Sequence, residues 1–291
     1  MKPAPFEYHA PPTAREAVDL LAQLGDSAKV IAGGQSLVPV LAMRLAVFDH
    51  LIDIGRIETL RGIREADGQV WAGAGTTEAE IGQSGLICAQ VPLLARATPL
   101  IGHFQIRNRG TIGGSLAHAD ASAEYPAVVM TLDGIVHALS PRGERTIAAG
   151  EFFTGIWSTA LAPDELLTGV SFPAARSRQG FAIEELARRR GDFAVAGAAV
   201  AVELDSGDVI TRASIGLFGL GPTPLRAAGA EASVTGAAAR ARGGEQIGRA
   251  AVADLDSVPA DRHGTADYRK KVGAAMVTRA WERAVREATG E

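Results

Sequence analysis

Two glycine pairs carry most of the chemistry this sequence offers. The first lies in Ala32-Gly33-Gly34-Gln35-Ser36-Leu37 and the second in Thr111-Ile112-Gly113-Gly114-Ser115-Leu116. Each follows an extended or apolar stretch, and each sets a serine hydroxyl one or two residues beyond the glycines. Glycine reaches positive φ without strain and leaves no Cβ between the backbone and an incoming group. Successive N–H groups can then converge on an anion, an arrangement suited to a diphosphate. A lone Gly-Gly pair is ordinarily a turn; two with matching surroundings in one chain point to a ligand.

Other patterns carry less. Gly73-Ala74-Gly75-Thr76-Thr77-Glu78 nearly makes the G-x-G-x-x-G dinucleotide fingerprint, but Glu78 stands where the third glycine belongs, which suits a plain turn before a capped helix. His118 and Asp120 could chelate a metal, yet the six histidines are scattered without an H-x-x-x-H spacing, so no metal site is expected. Ser36 and Ser115 lack the G-x-S-x-G elbow of a serine hydrolase. Arg188-Arg189-Arg190 reads as a solvated face, or as a contact with a partner or an anionic acceptor. Cys88 has apolar neighbours and no cation nearby, and reads as a buried structural thiol.

Composition narrows the classes further. The 291 residues suffice for two domains with a real core, and 47% hydrophobic against 21% charged residues describes a folded globular chain. A net charge of −4 leaves no electrostatic footprint for nucleic acid. One cysteine cannot form an internal disulfide, a cysteine-ligated iron–sulfur cluster or a zinc finger. The first residues lack the apolar core of a signal peptide, and no run approaches the roughly 18 apolar residues of a membrane span. A cytoplasmic, reducing location is expected.

The elements that must position the glycine loops can be read in order. Thr13 to Glu16 is a capping box opening a helix with Val18, Leu20, Leu21 and Leu24 on its apolar face, closed by Gly25. Residues 29–32 form a strand running into the first glycine pair, 38–45 a helix, and 50–54 another strand. Together they make a small α/β lobe with parallel pairing, which puts the loop at the carboxyl end of a strand. A hairpin follows across Asp67-Gly68, then helices from Thr77 and from Pro92, the second glycine pair, a helix over 123–132, and strands over 135–139, 145–147 and 166–172. Beyond a linker at 174–180, three strands (181–187, 195–204 and 209–218) and three helices (227–234, 245–255 and 267–288) suggest a separate α+β domain. The boundaries are 1–175, with lobes of about 1–56 and 57–175, and 176–291.

At this point the residues carry a family resemblance. Ala32 to Leu37 resembles the first FAD motif of the flavoprotein medium subunits of molybdenum hydroxylases, the group of aerobic carbon monoxide dehydrogenase, xanthine dehydrogenase and the N-heterocycle dehydrogenases. The stretch from Ile106 through Thr111-Ile112-Gly113-Gly114-Ser115 to Asp120 resembles the second motif, and Arg189-Arg190-Gly191-Asp192-Phe193-Ala194 the signature of the C-terminal domain. The resemblance is essentially full length. It implies an α+β fold: a two-lobed FAD-binding domain of the vanillyl-alcohol-oxidase (PCMH) type, then a smaller domain with a three-stranded antiparallel sheet and a three-helix bundle.

It also implies roles. FAD would lie with its diphosphate against Ala32, Gly33, Gly34, Gln35, Ser36 and Leu37 and against Thr111, Ile112, Gly113, Gly114 and Ser115. Asp120 belongs to the second motif. Glu124 falls where relatives carry an acidic residue contacting the cofactor, Leu167 or its neighbour Leu166 matches a leucine near the adenine or the ring, and Phe193 an aromatic residue close to the isoalloxazine. Glu184-Glu185 stands where several relatives carry a lysine, a departure that bears on the flavin potential. No side chain is required as acid, base or nucleophile, because the flavin carries the redox chemistry. Molybdopterin and the 2Fe–2S clusters would belong to a large and a small partner subunit, in a dimer of heterotrimers. Electrons would pass to NAD, a quinone or another carrier. A self-contained FAD oxidoreductase of the same cofactor-binding architecture is the alternative.

Overall fold

The computed structural model of the chain describes residues 2–291. Its first sheet has the order β1-β3-β2, all parallel, from β1 (Glu7–His9), β2 (Ala28–Ile31) and β3 (His50–Asp53). The parallel lobe is as expected, with β1 as an added edge strand whose three residues are too few to show a pattern. Helix α1 (Ala14–Leu24) starts at Thr13, whose hydroxyl accepts from the Glu16 N–H, and ends at Gly25 with φ +56°. Its buried face of Ala17, Val18 and Leu21 packs with Ile52, Ile54 and Leu166, so one helix joins both lobes. After β2 the chain passes through the first glycine loop into the short helix α2 (Leu37–Ala42).

The second sheet is antiparallel, ordered β4-β5-β10-β6-β7. Its strands are β4 (Ile63–Ala66), β5 (Gln69–Gly73), β6 (Ile135–Ser140), β7 (Gly143–Ala148) and β10 (Leu166–Pro173), with a small hairpin of β8 (Phe153–Gly155) and β9 (Ser158–Thr159) at one side. Between β5 and β6 run α3 (Glu78–Gln83), α4 (Gly85–Gln90), α5 (Pro92–Ala97), α6 (Phe104–Arg107), α7 (Ile112–His118) and α8 (Glu124–Thr131); α9 (Ala149–Phe152) precedes β8. Thr77 closes a full capping box with Glu80 at the start of α3. Val70, Ala72, Val136, Val170 and Phe172 from the sheet bury themselves against Ile81, Leu93, Leu94, Ile112 and Leu116 from these helices. Cys88 corrects the sequence reading: it is exposed, because α4 turns only Ile87 fully inward and the next residue faces outward.

The third sheet is antiparallel, from β11 (Gln179–Leu186), β12 (Ala196–Leu204), β13 (Ile210–Phe218) and the two-residue β14 (Leu225–Arg226). The three long strands are those expected, and β14 adds a short edge. Helices α10 (Ala228–Val234), α11 (Gly244–Ala253) and α12 (Ala266–Thr289) pack with the sheet: Trp281, Ala280, Val277 and Ala284 share a core with Val200, Val202 and Ile215. Gly180 and Gly248 let backbones approach there, since an added Cβ would strike the carbonyl of Ala284 or of Ala274. The opposite face receives α8, with Gly216 of β13 set against Thr131 and Ala127. Helix α8 is therefore covered on both sides, which explains its apolar character around most of its circumference. It also carries Glu124 into the interior.

Candidate flavin site

The two glycine motifs meet across the boundary between the first two sheets. A Cβ on Gly33 would run into the carbonyl oxygen of Arg109, with the carbonyl carbon at 2.7 Å and the Gly110 Cα at 2.8 Å. A Cβ on Gly114 would lie 3.6 Å from the Cβ of Ala32. Residues separated by most of a lobe in sequence thus form one surface. Beside it opens a cleft of about 410 Å³ lined by Ile31, Gly33, Gly34, Gln35, Val38, Pro39 and Arg109.

Within the first loop, Gly34 takes φ +73°, a left-handed conformation that glycine adopts freely. The Gln35 side chain donates to the Gly33 carbonyl at 2.9 Å and so shapes the turn. Among the described residues, the N–H groups of residues 33–36 have no protein acceptor, while the N–H of Val38, two residues further on, bonds the Gly34 carbonyl at 2.9 Å. Ser36 makes no capping hydrogen bond for α2. A run of unpaired N–H groups around a left-handed glycine on the wall of an open cleft is the donor set that an anionic group such as a diphosphate requires. Leu37 begins α2 and is half-buried.

The second motif works differently from the sequence expectation. Thr111 is the N-cap of α7, and Gly113 and Gly114 lie in its first turn. The amides there are already engaged: Ile112 N–H with the Thr76 carbonyl at 3.1 Å, Gly113 N–H with Ala74 at 2.9 Å, and Gly114 N–H with the Thr111 hydroxyl at 3.0 Å. No second nest of free amides forms. Gly113 is buried because its missing Cβ admits Ala74, which a side chain would meet at 2.5 Å. Gly114 and Ser115 are half-buried and offer a flat edge next to Ala32. The segment 74–77, read from sequence as a plain turn, is thus the support on which the second motif is built.

The remaining expected positions distribute unevenly. Asp120 follows the left-handed Ala119; its carboxylate accepts from the Ser122 N–H at 2.8 Å and from the Trp157 indole at 3.4 Å. Leu167 faces the apolar core of the second lobe, while Leu166 joins the core under α1. Phe193 is 56% exposed, on a loop where Gly191, at φ +86°, rests on the backbone of Gly102. It does not share the glycine cleft's lining.

Three carboxyl groups gather beneath these loops: Glu124, where the resemblance implies an acidic contact, with Glu78 and Glu185 near it. Glu78 is 5% exposed; its carboxyl lies flat against Gly110, one oxygen without a partner, and burial pushes it up to about 7 despite the opposing effect of Arg107. Glu124, equally buried, is pushed up to about 8 by burial first and then by the neighbouring charge of Glu185, with Glu78 and Asp120 adding to it. Glu185 is itself pushed up to about 7 by burial, and one of its oxygens is also unpartnered. Its neighbour Glu184 faces the other way and pairs with Arg283 of α12. Glu185 is therefore the member of the acidic pair that turns toward Glu124. Burial thus raises all three carboxyls, Glu124 the furthest. The sequence gives no sign of this, since three segments far apart in the chain contribute.

Comparison with known proteins agrees with the geometry. Residues 4–175 match the FAD binding domain in molybdopterin dehydrogenase, and residues 181–284 the CO dehydrogenase flavoprotein C-terminal domain. The chain is 41% identical to the carbon monoxide dehydrogenase medium chain of Hydrogenophaga pseudoflava over 96% of this chain and 97% of that one. It is 42% identical to the 6-hydroxypseudooxynicotine dehydrogenase complex subunit alpha of Paenarthrobacter nicotinovorans, over 99% and 97% of the two chains. Among solved structures, carbon monoxide dehydrogenase from Hydrogenophaga pseudoflava lacking the Mo-pyranopterin moiety superposes with a TM-score of 0.94 at 42% identity, covering 98% of both chains. An FAD-binding domain, a two-lobed frame and the C-terminal flavoprotein domain thus coincide, and the chain belongs to the FAD-binding medium subunits of the molybdenum hydroxylase family.

Proposed function

We propose that this chain is the electron-transfer subunit of a heteromeric molybdenum hydroxylase, located in the cytoplasm and divided into its two domains near residue 175. The observation that carries the reading is the run of unpaired N–H groups over residues 33–36, seated against Arg109 and Gly110 of the second motif. It fits a dinucleotide diphosphate, and FAD supplies redox chemistry between one-electron donors and an acceptor when bound. The loop amides would hold the diphosphate, with Gly114 and Ser115 as the facing edge. Asp120, fixed by Ser122 and Trp157, would orient the cofactor, and Glu124 would present a neutral carboxyl rather than a charge. Phe193, on its exposed loop, would cover the ring.

The single cysteine supports a multi-subunit assembly: this chain cannot ligate a 2Fe–2S cluster, so the donor clusters and the molybdopterin would reside on a small and a large partner, as a dimer of heterotrimers. The relatives named above act on different molecules, which agrees with substrate choice lying in the large partner. The test is the absorption spectrum of the chain purified from its native host with whatever accompanies it. Flavin bands over an iron–sulfur shoulder, with two further chains on a gel, are expected. Flavin bands from a lone, active chain would favour a self-contained oxidoreductase, and a colourless protein that takes up no FAD would overturn both.

A further inference from the structure

Three side chains on the β1 edge of the first sheet bring metal-ligand atoms together. Glu7 and His9 lie two residues apart on β1 and so share a face. Strand β1 runs parallel to β3 with Glu7 opposite His50, which puts the second imidazole on that face as well. One ligand atom from each of the three lies within 4.8 Å of the others. His9 Nε2 stands 3.1 Å from His50 Nδ1, and Glu7 Oε2 3.5 Å from the same nitrogen. A tetrahedral ion bound at about 2.0–2.1 Å holds its ligand atoms roughly 3.3 Å apart. Two edges of such a site are therefore already close to the required length.

The surroundings suit an ion as well. The imidazole rings are tilted by 44° rather than stacked, with centroids 5.2 Å apart. Both histidines are half-buried, and Glu7 is exposed, so a fourth position stays open to water. Two imidazoles and a carboxylate are the donors of a borderline divalent ion. The position is separate from the flavin cleft: β1 lies on the far side of β3 from β2, whose carboxyl end leads into the glycine loop, and none of the three residues lines the cleft.

We propose that Glu7, His9 and His50 form a divalent transition-metal site, with Zn²⁺ as the fitting ion, that fastens the three-residue strand β1 to β3. The fastening has a physical use. Strand β1 pairs on one side only and is joined to β3 through some forty intervening residues, so a metal clip restrains a segment that otherwise rests on few hydrogen bonds.

The test uses the untagged full-length chain, freed of metal by a chelator and titrated with Co²⁺ and then Zn²⁺. One Co²⁺ per chain should give a saturable visible band, bleached by one equivalent of Zn²⁺, and Zn²⁺ should raise the melting midpoint. His9→Gln and His50→Gln should each weaken Co²⁺ binding at least about 10-fold and remove the Zn²⁺ effect on melting. His263→Gln, at a half-buried histidine elsewhere, should leave both unchanged. Glu7→Gln, at an exposed position where folding is not at stake, provides the independent check by weakening the ion. Absence of a saturable one-per-chain band would overturn the site, leaving the 3.1 Å contact as a histidine–histidine hydrogen bond. So would undiminished binding in His50→Gln or Glu7→Gln.

Discussion

Gly33 rests on the backbone of Arg109, so closely that a methyl group at Gly33 would sit 2.7 Å from the Arg109 carbonyl carbon. The glycine is there for the approach of one lobe to the other, and only its neighbour Gly34 needs the left-handed backbone. Gly33→Ala should therefore push the first loop away from the second motif while leaving the fold intact. We expect FAD affinity to fall at least about 10-fold, or ~1.4 kcal/mol, with an unchanged far-UV circular dichroism spectrum. Flavin bound at wild-type affinity would show that the contact between the motifs is dispensable.

Gly113 and Gly114 are adjacent but serve different ends, which can be separated. Gly113→Ala drives a methyl into Ala74 and should destabilise the protein without cofactor by about 1–3 kcal/mol, read in urea unfolding. Gly114→Val places its side chain at the half-buried edge beside Ala32 and should abolish FAD binding with a smaller loss of stability. Stoichiometric FAD in Gly114→Val would remove the second motif from the site.

Much of this frame was legible in the sequence because it depends on local signals. The Thr13 and Thr77 caps, the Gly25 stop and the Asp67-Gly68 turn act over a few residues, and the corresponding elements lie within a few positions of where they were expected. The glycine motifs were found for their chemistry, but only the first has free amides. In the second those groups are taken by Thr76, Ala74 and Thr111, and the first two lie more than thirty residues away. Glu124 was named only through the resemblance, and the burial of Glu78 and Glu185 beside it escaped for the same reason. Glu78 looked like an ordinary first-turn acid, and nothing near it in sequence tells that Gly110 covers it. The meeting of His9 with His50 depends on a strand pairing that three residues could not announce.

Arg269 ties the long C-terminal helix to the backbone at Val195 and Gly219. It is 4% exposed and donates to the carbonyls of Val195, at 2.5 Å, and Gly219, at 3.2 Å, while pairing with Asp261 at 2.8 Å. Gly219 in turn donates to the Ala121 carbonyl, next to Asp120. Arg269→Met keeps the apolar stem but strands two buried carbonyls, and should cost about 3 kcal/mol in urea unfolding. A loss below about 1 kcal/mol would mean that water replaces the guanidinium there.

Glu124 gives the protein without cofactor a pH dependence whose sign is fixed. Its carboxyl is pushed up to about 8 from 4.5, chiefly by burial, so the folded state holds a proton that the unfolded chain releases. Stability from this group is complete below about 4.5 and is lost as pH rises toward and through 8. Glu124→Gln keeps the shape of the neutral acid and cannot ionise. Relative to wild type, the variant should gain stability as pH rises from 5 to 8.5, by on the order of a few kcal/mol in urea unfolding. Some decline should persist in the variant, because Glu78 and Glu185 are both pushed up to about 7. Parallel curves for the two proteins would mean that Glu124 is already ionised in the folded state, and that the site meets its ligand with a charge instead of a proton.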